Sequence, residues 1–498
     1  MSESFHTLEA AADEAPLPTW RVGLAVATAA LLPLSFDIGP WVHPKKSAVF
    51  LAPLDLLLVP LGLLLLLEVL RGRLKDWMPP WPHVLWALIA ILSLAWSAPR
   101  SLTEWGRSAV LQTTLVGLVA VWVFRNLAST PAALRRMALA LGASVGACVL
   151  LTLFQYVQPS GQPAPDASGG RNFGGGVTDV RVAGWYEYRG IFAAQAAMWI
   201  PAAAAFALYE KDAAVRAAAA ALAVLAACVC MSGGGLLAAG VGVLAVAAAV
   251  LVLRDGAIRV SAAPILLMQE APEKHGWWNA HSRACAAVAV LLAVVCLVLP
   301  RLPRKNDQVL WRTLTLFVPV EIERNGNKET LELPTARLRR YQAAINYLEQ
   351  EHHWILGAGA GKYQTTIASY FDSRAYPKPG ANTDNESAFD LSAHEKFSFG
   401  LLETVAVESG VLGLAALAWV FLAWMAAALS SFFKAASTDR LTRTLALASF
   451  GAAVGAAVFS VFGNPLLRGC GGTFAFFAGM ACALHARAFL LKEPQGKP

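Results

Sequence analysis

The chain alternates apolar runs with short polar connectors, and this alternation limits its folds more than any single motif. The runs fall near residues 20–36, 47–70, 81–98, 107–124, 136–157, 190–208, 213–231, 235–253, 284–300, 411–432, 442–463 and 472–491. A helix needs about 20 apolar residues to cross a hydrocarbon layer about 30 Å thick, and these runs are of that length. Only 15% of the residues are charged and 57% are hydrophobic, whereas soluble domains are about a quarter charged. The runs therefore read as membrane spans. The expected fold is an all-α polytopic membrane protein with about twelve transmembrane helices. SGGG at 232–235 divides the nearly continuous apolar stretch 213–253 into two helices.

Orientation follows from lysine and arginine near span ends, because cytoplasmic loops carry the excess. With the N-terminus inside, the inner loops hold Arg71 and Arg73, Arg125, Arg135 and Arg136, Lys211 and Arg216, Arg254 and Arg259, and Lys434, Arg440 and Arg443. The short outer loops hold few. Both termini are then cytoplasmic, and the acidic, polar start is not a cleavable signal peptide. The expected organisation is a tail at 1–19, helices 1–9 over 20–300, a long outer loop domain at 301–398, an outer helix with the last three spans over 399–491, and a tail at 492–498. A second, smaller outer loop covers about 158–189. Net charge is +7, but the basic residues sit between apolar runs, which argues against a nucleic-acid partner.

The outer segment 301–398 is the one long polar excursion. Residues 309–334 alternate as a β-hairpin does, with Asn325-Gly326 near the turn. Residues 335–351 have helical spacing after a basic start, and 371–392 read as an irregular loop. All seven cysteines lie in or at the ends of apolar runs. That argues against a disulfide framework or a structural zinc site.

Candidate chemistry gathers in the outer loops. His394 stands before the outer end of a span, near Glu395, Glu403 and Glu408. It is either an interfacial histidine or a general base, the task imidazole suits near neutrality. Arg181 and Arg189 flank the outer mouth of the span that starts at Gly190, and Arg337, Arg339 and Arg340 open the helix at 335–351. Such arginines either anchor to headgroups or bind a diphosphate through paired hydrogen bonds. GAGAG at 357–361 lacks the Lys-Ser/Thr of a nucleotide loop, so Gly357, Gly359 and Gly361 read as a tight supporting turn. His352 and His353 form no HExxH pattern, and no metal site is expected. Gly410 and Gly413 sit at helical spacing and read as close helix packing.

Four stretches resemble the O-antigen ligase and polymerase family of bacterial envelope glycan transferases. They are YRGIFAAQAAMWIP (188–201), MSGGGLLAAGVGVL (231–244), RYQAAINYLEQEHHWILGAGAGKY (340–363) and AHEKFSFGLLETVAVESGVLGL (393–414). The sequence departs from the family pattern at Ala193-Ala194-Gln195, where the family has N-x-N, at Gly233, at Glu395, and in the longer spacing from His394 to Gly410. The resemblance implies transfer of a glycan from undecaprenyl diphosphate to an acceptor hydroxyl at the periplasmic face of the bacterial inner membrane. No cofactor, metal or nucleotide would take part. It implies His394 as the catalytic group that activates or positions the acceptor hydroxyl, with Arg189 and one of Arg337, Arg339 and Arg340 on the diphosphate; Arg181 stays a further donor-binding candidate.

One dominant late outer loop favours a ligase that uses lipid A–core as acceptor. A polymerase and a protein O-oligosaccharyltransferase of the same family stay open. A lipid-linked glycan transporter is the competing class, and it would need charged residues or broken helices at the bilayer midplane.

Overall fold

Where the structure describes them, the apolar runs fold into helices. The computed structural model describes residues 19–34, 53–72, 79–96, 115–127, 130–157, 189–230, 232–261, 320–324, 327–331, 333–360, 363, 400–435, 439–466 and 470–490. The helices are α1 (Thr19–Leu31), α2 (Pro53–Leu70), α3 (Trp81–Trp96), α4 (Val121–Leu127), α5 (Pro131–Val157), α6 (Arg189–Tyr209), α7 (Ala213–Val229), α8 (Gly233–Ser261), α9 (Leu333–Gln350), α10 (Leu401–Lys434), α11 (Arg440–Phe459) and α12 (Cys470–Leu490). A π-helical turn, Leu115–Ala120, leads into α4. Four helical stretches are long and apolar enough to cross a membrane: Pro131–Phe154, Ile191–Tyr209, Leu401–Lys434 and Arg440–Phe459. Shorter apolar helices accompany them. The protein is thus mostly helical, as an all-α membrane protein would be. The run at 284–300, the loop 158–188 and the loop 371–392 lie outside the described residues.

The centre of the bundle is α6. Every residue from 191 to 206 is buried, and α7, α8 and α11 pack around it. Its alanines make it thin, and its neighbours meet it with glycine. A methyl group at Gly455 of α11 would overlap the Ala197 carbonyl oxygen, and one at Gly451 would press on Pro201. Gly242 of α8 abuts the same proline, and Gly235 abuts Ala193. Small residues one turn apart let helix backbones approach where lipid offers no hydrophobic driving force. These contacts also fix direction. Residue numbers rise together along α6 and α8 and oppose along α6 and α11, so α8 runs parallel to α6 and α11 runs antiparallel.

Side chains sort the two ends of the bundle. At one end, Arg135 of α5 pairs with the buried Glu210 beyond α6, Nε to Oε2 at 3.2 Å. Arg21 donates to the Asn126 and Leu127 carbonyls that end α4. Arg443 donates to the Ala435 carbonyl at 3.1 Å, closing α10 onto α11. This basic end gathers the start of α1, the end of α4, the start of α5, the end of α6, the end of α10 and the start of α11. At the opposite end, Cys470 Sγ lies 3.6 Å from the Ile191 carbonyl oxygen. There the N-termini of α6, α8, α10 and α12 meet the C-terminus of α11.

A buried polar relay ties three helices at mid-height. Trp424 Nε1 donates to Ser449 Oγ at 2.8 Å, and Ser449 Oγ donates to the Phe477 carbonyl at 2.7 Å. Ser449→Ala leaves the indole N–H without its acceptor in an apolar core, which costs about 1–3 kcal/mol. A lowered thermal midpoint is the expected result. Adding Trp424→Phe, which removes the orphaned donor, should not cost the full sum of the two single changes. Full additivity would rule the relay out as an energetic unit.

Candidate functional site

The candidate site is built at the end opposite the basic one. α10 begins there, and its exposed amide groups are satisfied one by one. The Gly400 N–H donates to Glu403 Oε1 at 2.8 Å, the Leu401 N–H to the Gly463 carbonyl at 3.0 Å, and the Leu402 N–H to the Ser460 carbonyl at 3.3 Å. A buried helix start needs such partners. Glu403 is therefore a buried capping residue.

α10 is broken at Gly410, whose φ of 62° and ψ of −158° are not helical. The break receives the turn that follows α9. The Val411 N–H donates to the Trp354 carbonyl at 2.8 Å and the Leu412 N–H to the Ile355 carbonyl at 3.3 Å. In return the Ala358 N–H donates to the Val407 carbonyl at 2.7 Å and the Gly359 N–H to the Glu408 carbonyl at 2.9 Å. Breaking the helix frees these main-chain groups, and the turn satisfies them. Gly357 and Gly359 have φ of 70° and 100°, which glycine adopts at little cost. A side chain at Gly357 would overlap the Glu408 backbone, and one at Gly410 the Ile355 carbonyl. Glu408 Oε1 also accepts the Tyr363 N–H at 3.4 Å.

α9 seals this joint. Ala343, Ala344, Tyr347 and Leu348 bury together with Tyr363 and Val407, a face set by the i, i+1, i+4, i+5 spacing. Tyr341 Oη donates to the Val461 carbonyl at 2.9 Å, tying α9 to the connection after α11. Leading into α9, β1 (Val320–Arg324) and β2 (Asn327–Leu331) pair antiparallel with Arg324 opposite Asn327. The strands end on either side of Asn325 and Gly326, the two-residue spacing of a tight hairpin.

Arg337, Arg339 and Arg340 lie in the first half of α9, and Arg189 is the first residue of α6. Both helices reach this end: α9 through Tyr341 and Val461, α6 through Ile191 and Cys470. Gly357 and Gly359 form the docked turn. His394, Arg181 and Gly361 lie outside the described residues. The sequence spacing did not disclose the break in α10. Gly410 meets the 354–355 turn rather than another helix, and Gly413 meets Ser409 and Val405 of its own helix. The ESG and GAGAG glycines together were the available signal. No protein-family model matches the chain, and no curated protein matches it.

Proposed function

We propose that this chain is a glycosyltransferase of the O-antigen ligase type. It moves a glycan from undecaprenyl diphosphate onto a sugar hydroxyl of lipid A–core at the periplasmic face of a bacterial inner membrane. The observation that carries the reading is that two helices carrying arginines in their opening turns and the docked glycine turn lie at the same end of the bundle, opposite Arg21, Arg135 and Arg443. Arg189 opens α6, α9 holds Arg337, Arg339 and Arg340, and the turn at 357–359 is locked to α10. By the positive-inside rule the end with Arg21, Arg135 and Arg443 faces the cytoplasm, so the glycine turn faces out. About twelve spans with both termini cytoplasmic complete this topology.

In the reaction, the acceptor hydroxyl gives its proton to His394 as its oxygen bonds to the anomeric carbon. The bond from that carbon to the diphosphate breaks, and undecaprenyl diphosphate leaves. His394 is six residues ahead of Gly400 in the sequence, and its role here is the one the family resemblance implies. The arginines hold the diphosphate and offset the charge that grows on it. Arg189 adds to the positive potential of the α6 N-terminus. The bond to diphosphate already stores the energy, so no nucleotide is required.

The test is transfer in EDTA by the purified full-length protein, with undecaprenyl-diphosphate glycan and lipid A–core. Wild type should transfer, and His394→Ala and Arg189→Ala should each lose about 100-fold or more while remaining folded. Wild type that elongates the lipid-linked glycan and ignores lipid A–core would make the protein a polymerase. An unimpaired His394→Ala would remove that residue from the mechanism.

A further inference from the structure

The turn between α9 and the glycines exposes three large apolar side chains in succession. Trp354 is 40% exposed, Ile355 66% and Leu356 45%. A water-facing turn rarely carries such a run without a role. Its main chain is bonded to Val411 and Leu412, which are exposed as well. These two residues begin a stripe on α10 that continues through Ala415, Trp419 and Leu422. On a membrane-spanning helix such a stripe faces lipid. Before the break, no residue from 401 to 410 is exposed. Lipid contact on α10 therefore starts at the level where the turn is docked, and the turn prolongs the lipid-facing surface sideways.

From this continuity we infer that residues 354–356 form a wedge inserted into the outer leaflet, at the boundary between headgroups and acyl chains. The occupant of this surface is bilayer lipid. Tryptophan favours that depth, and two exposed polar residues, His352 and His353, precede it. The wedge would hold Gly357 and Gly359 at the depth where the diphosphate of a membrane-anchored donor lies. It rests on the membrane reading of the chain and not on the transfer chemistry.

The test places a photo-reactive benzoylphenylalanine at Ile355, Gln350 or Leu422 of the full-length protein in phospholipid nanodiscs. Acyl-chain adducts are then read by mass spectrometry. Gln350 is an exposed residue at the end of α9 and serves as the aqueous reference. Leu422 is the spanning reference. Expected are adducts in comparable yield at Ile355 and Leu422, and none at Gln350. An adduct at Leu422 without one at Ile355 overturns the wedge alone. Adducts at Gln350 as well as Ile355 overturn it too, because the insertion would not be confined to the turn. If Leu422 also stays unlabelled, the membrane reading fails and takes the wedge with it. None of these outcomes depends on transfer activity, so the enzymatic reading is tested separately.

Discussion

Gly410→Val is expected to undock the 353–360 turn from α10 while the helical bundle stays assembled. A backbone at φ 62° and ψ −158° lies in a region open almost only to glycine, and another residue held there costs about 1–3 kcal/mol. The added side chain would also overlap the Ile355 and Trp354 carbonyl groups. Relief requires the turn to move, which breaks the hydrogen bonds from Val411 and Leu412, each worth about 1 kcal/mol net. The joint therefore loses about 3–5 kcal/mol in all, enough to open it for much of the time. Hydrogen exchange should show the loss of protection at Ala358, Gly359, Val411 and Leu412. The thermal midpoint of the bundle should move little. Under the proposed function, transfer should drop by about 100-fold, the usual result of displacing a positioning element by an ångström or so. Unchanged protection at those four amides would mean that the glycine is not what permits the joint.

Gly455→Val acts on the whole molecule. Its side chain would meet the Ala197 carbonyl, a main-chain group in the middle of the most buried helix. No rotamer escapes a clash with backbone, so α6 and α11 must separate. Overpacking of this kind costs about 3 kcal/mol or more, and separation would also loosen the contacts of Pro201 with Gly242 and Gly451. The expected outcome is a thermal midpoint lowered by many degrees and an aggregated fraction in size exclusion. The buried cysteines Cys148, Cys230 and Cys470 supply the readout through a thiol-reactive dye. Ala457→Val brings the same side chain to a half-buried position of the same helix and should cost far less. Equal effects of the two changes would show that close approach at Gly455 is not special.

The apolar runs made most of the helical segments legible, because composition over about 20 residues reports a span directly. The SGGG break also reads correctly, with α7 ending at Val229 and α8 starting at Gly233. Helical spacing gave α9 to within two residues at each end, and Asn325-Gly326 marked the point between the two strands. An outer helix ahead of the apolar run at 411 is expected from the sequence, and residues 401–409 form one, held by buried Glu403 and the 460–463 carbonyls; the turn docked at Gly410 stayed hidden. Gly410 lies at helical spacing from Gly413, and spacing cannot report a positive φ. The residues that join α9 to α10 are far apart in sequence and meet through main-chain atoms, which leave no trace in side-chain pattern. Arg189 at the head of α6 and the arginines of α9 were legible from their positions at element starts.

The joint between the turn and α10 has a consequence for how the sequence can drift. Its four hydrogen bonds run between main-chain atoms, and every residue type except proline supplies those atoms. The information that specifies the bonded contact itself thus resides largely in Gly357, Gly359 and Gly410, where the absence of a side chain is the message. Around it, the buried face of α9 with Tyr363 and Val407 sets a second, side-chain requirement. A tolerance map of the region would show sharp minima at the glycines and broader ones at the buried face.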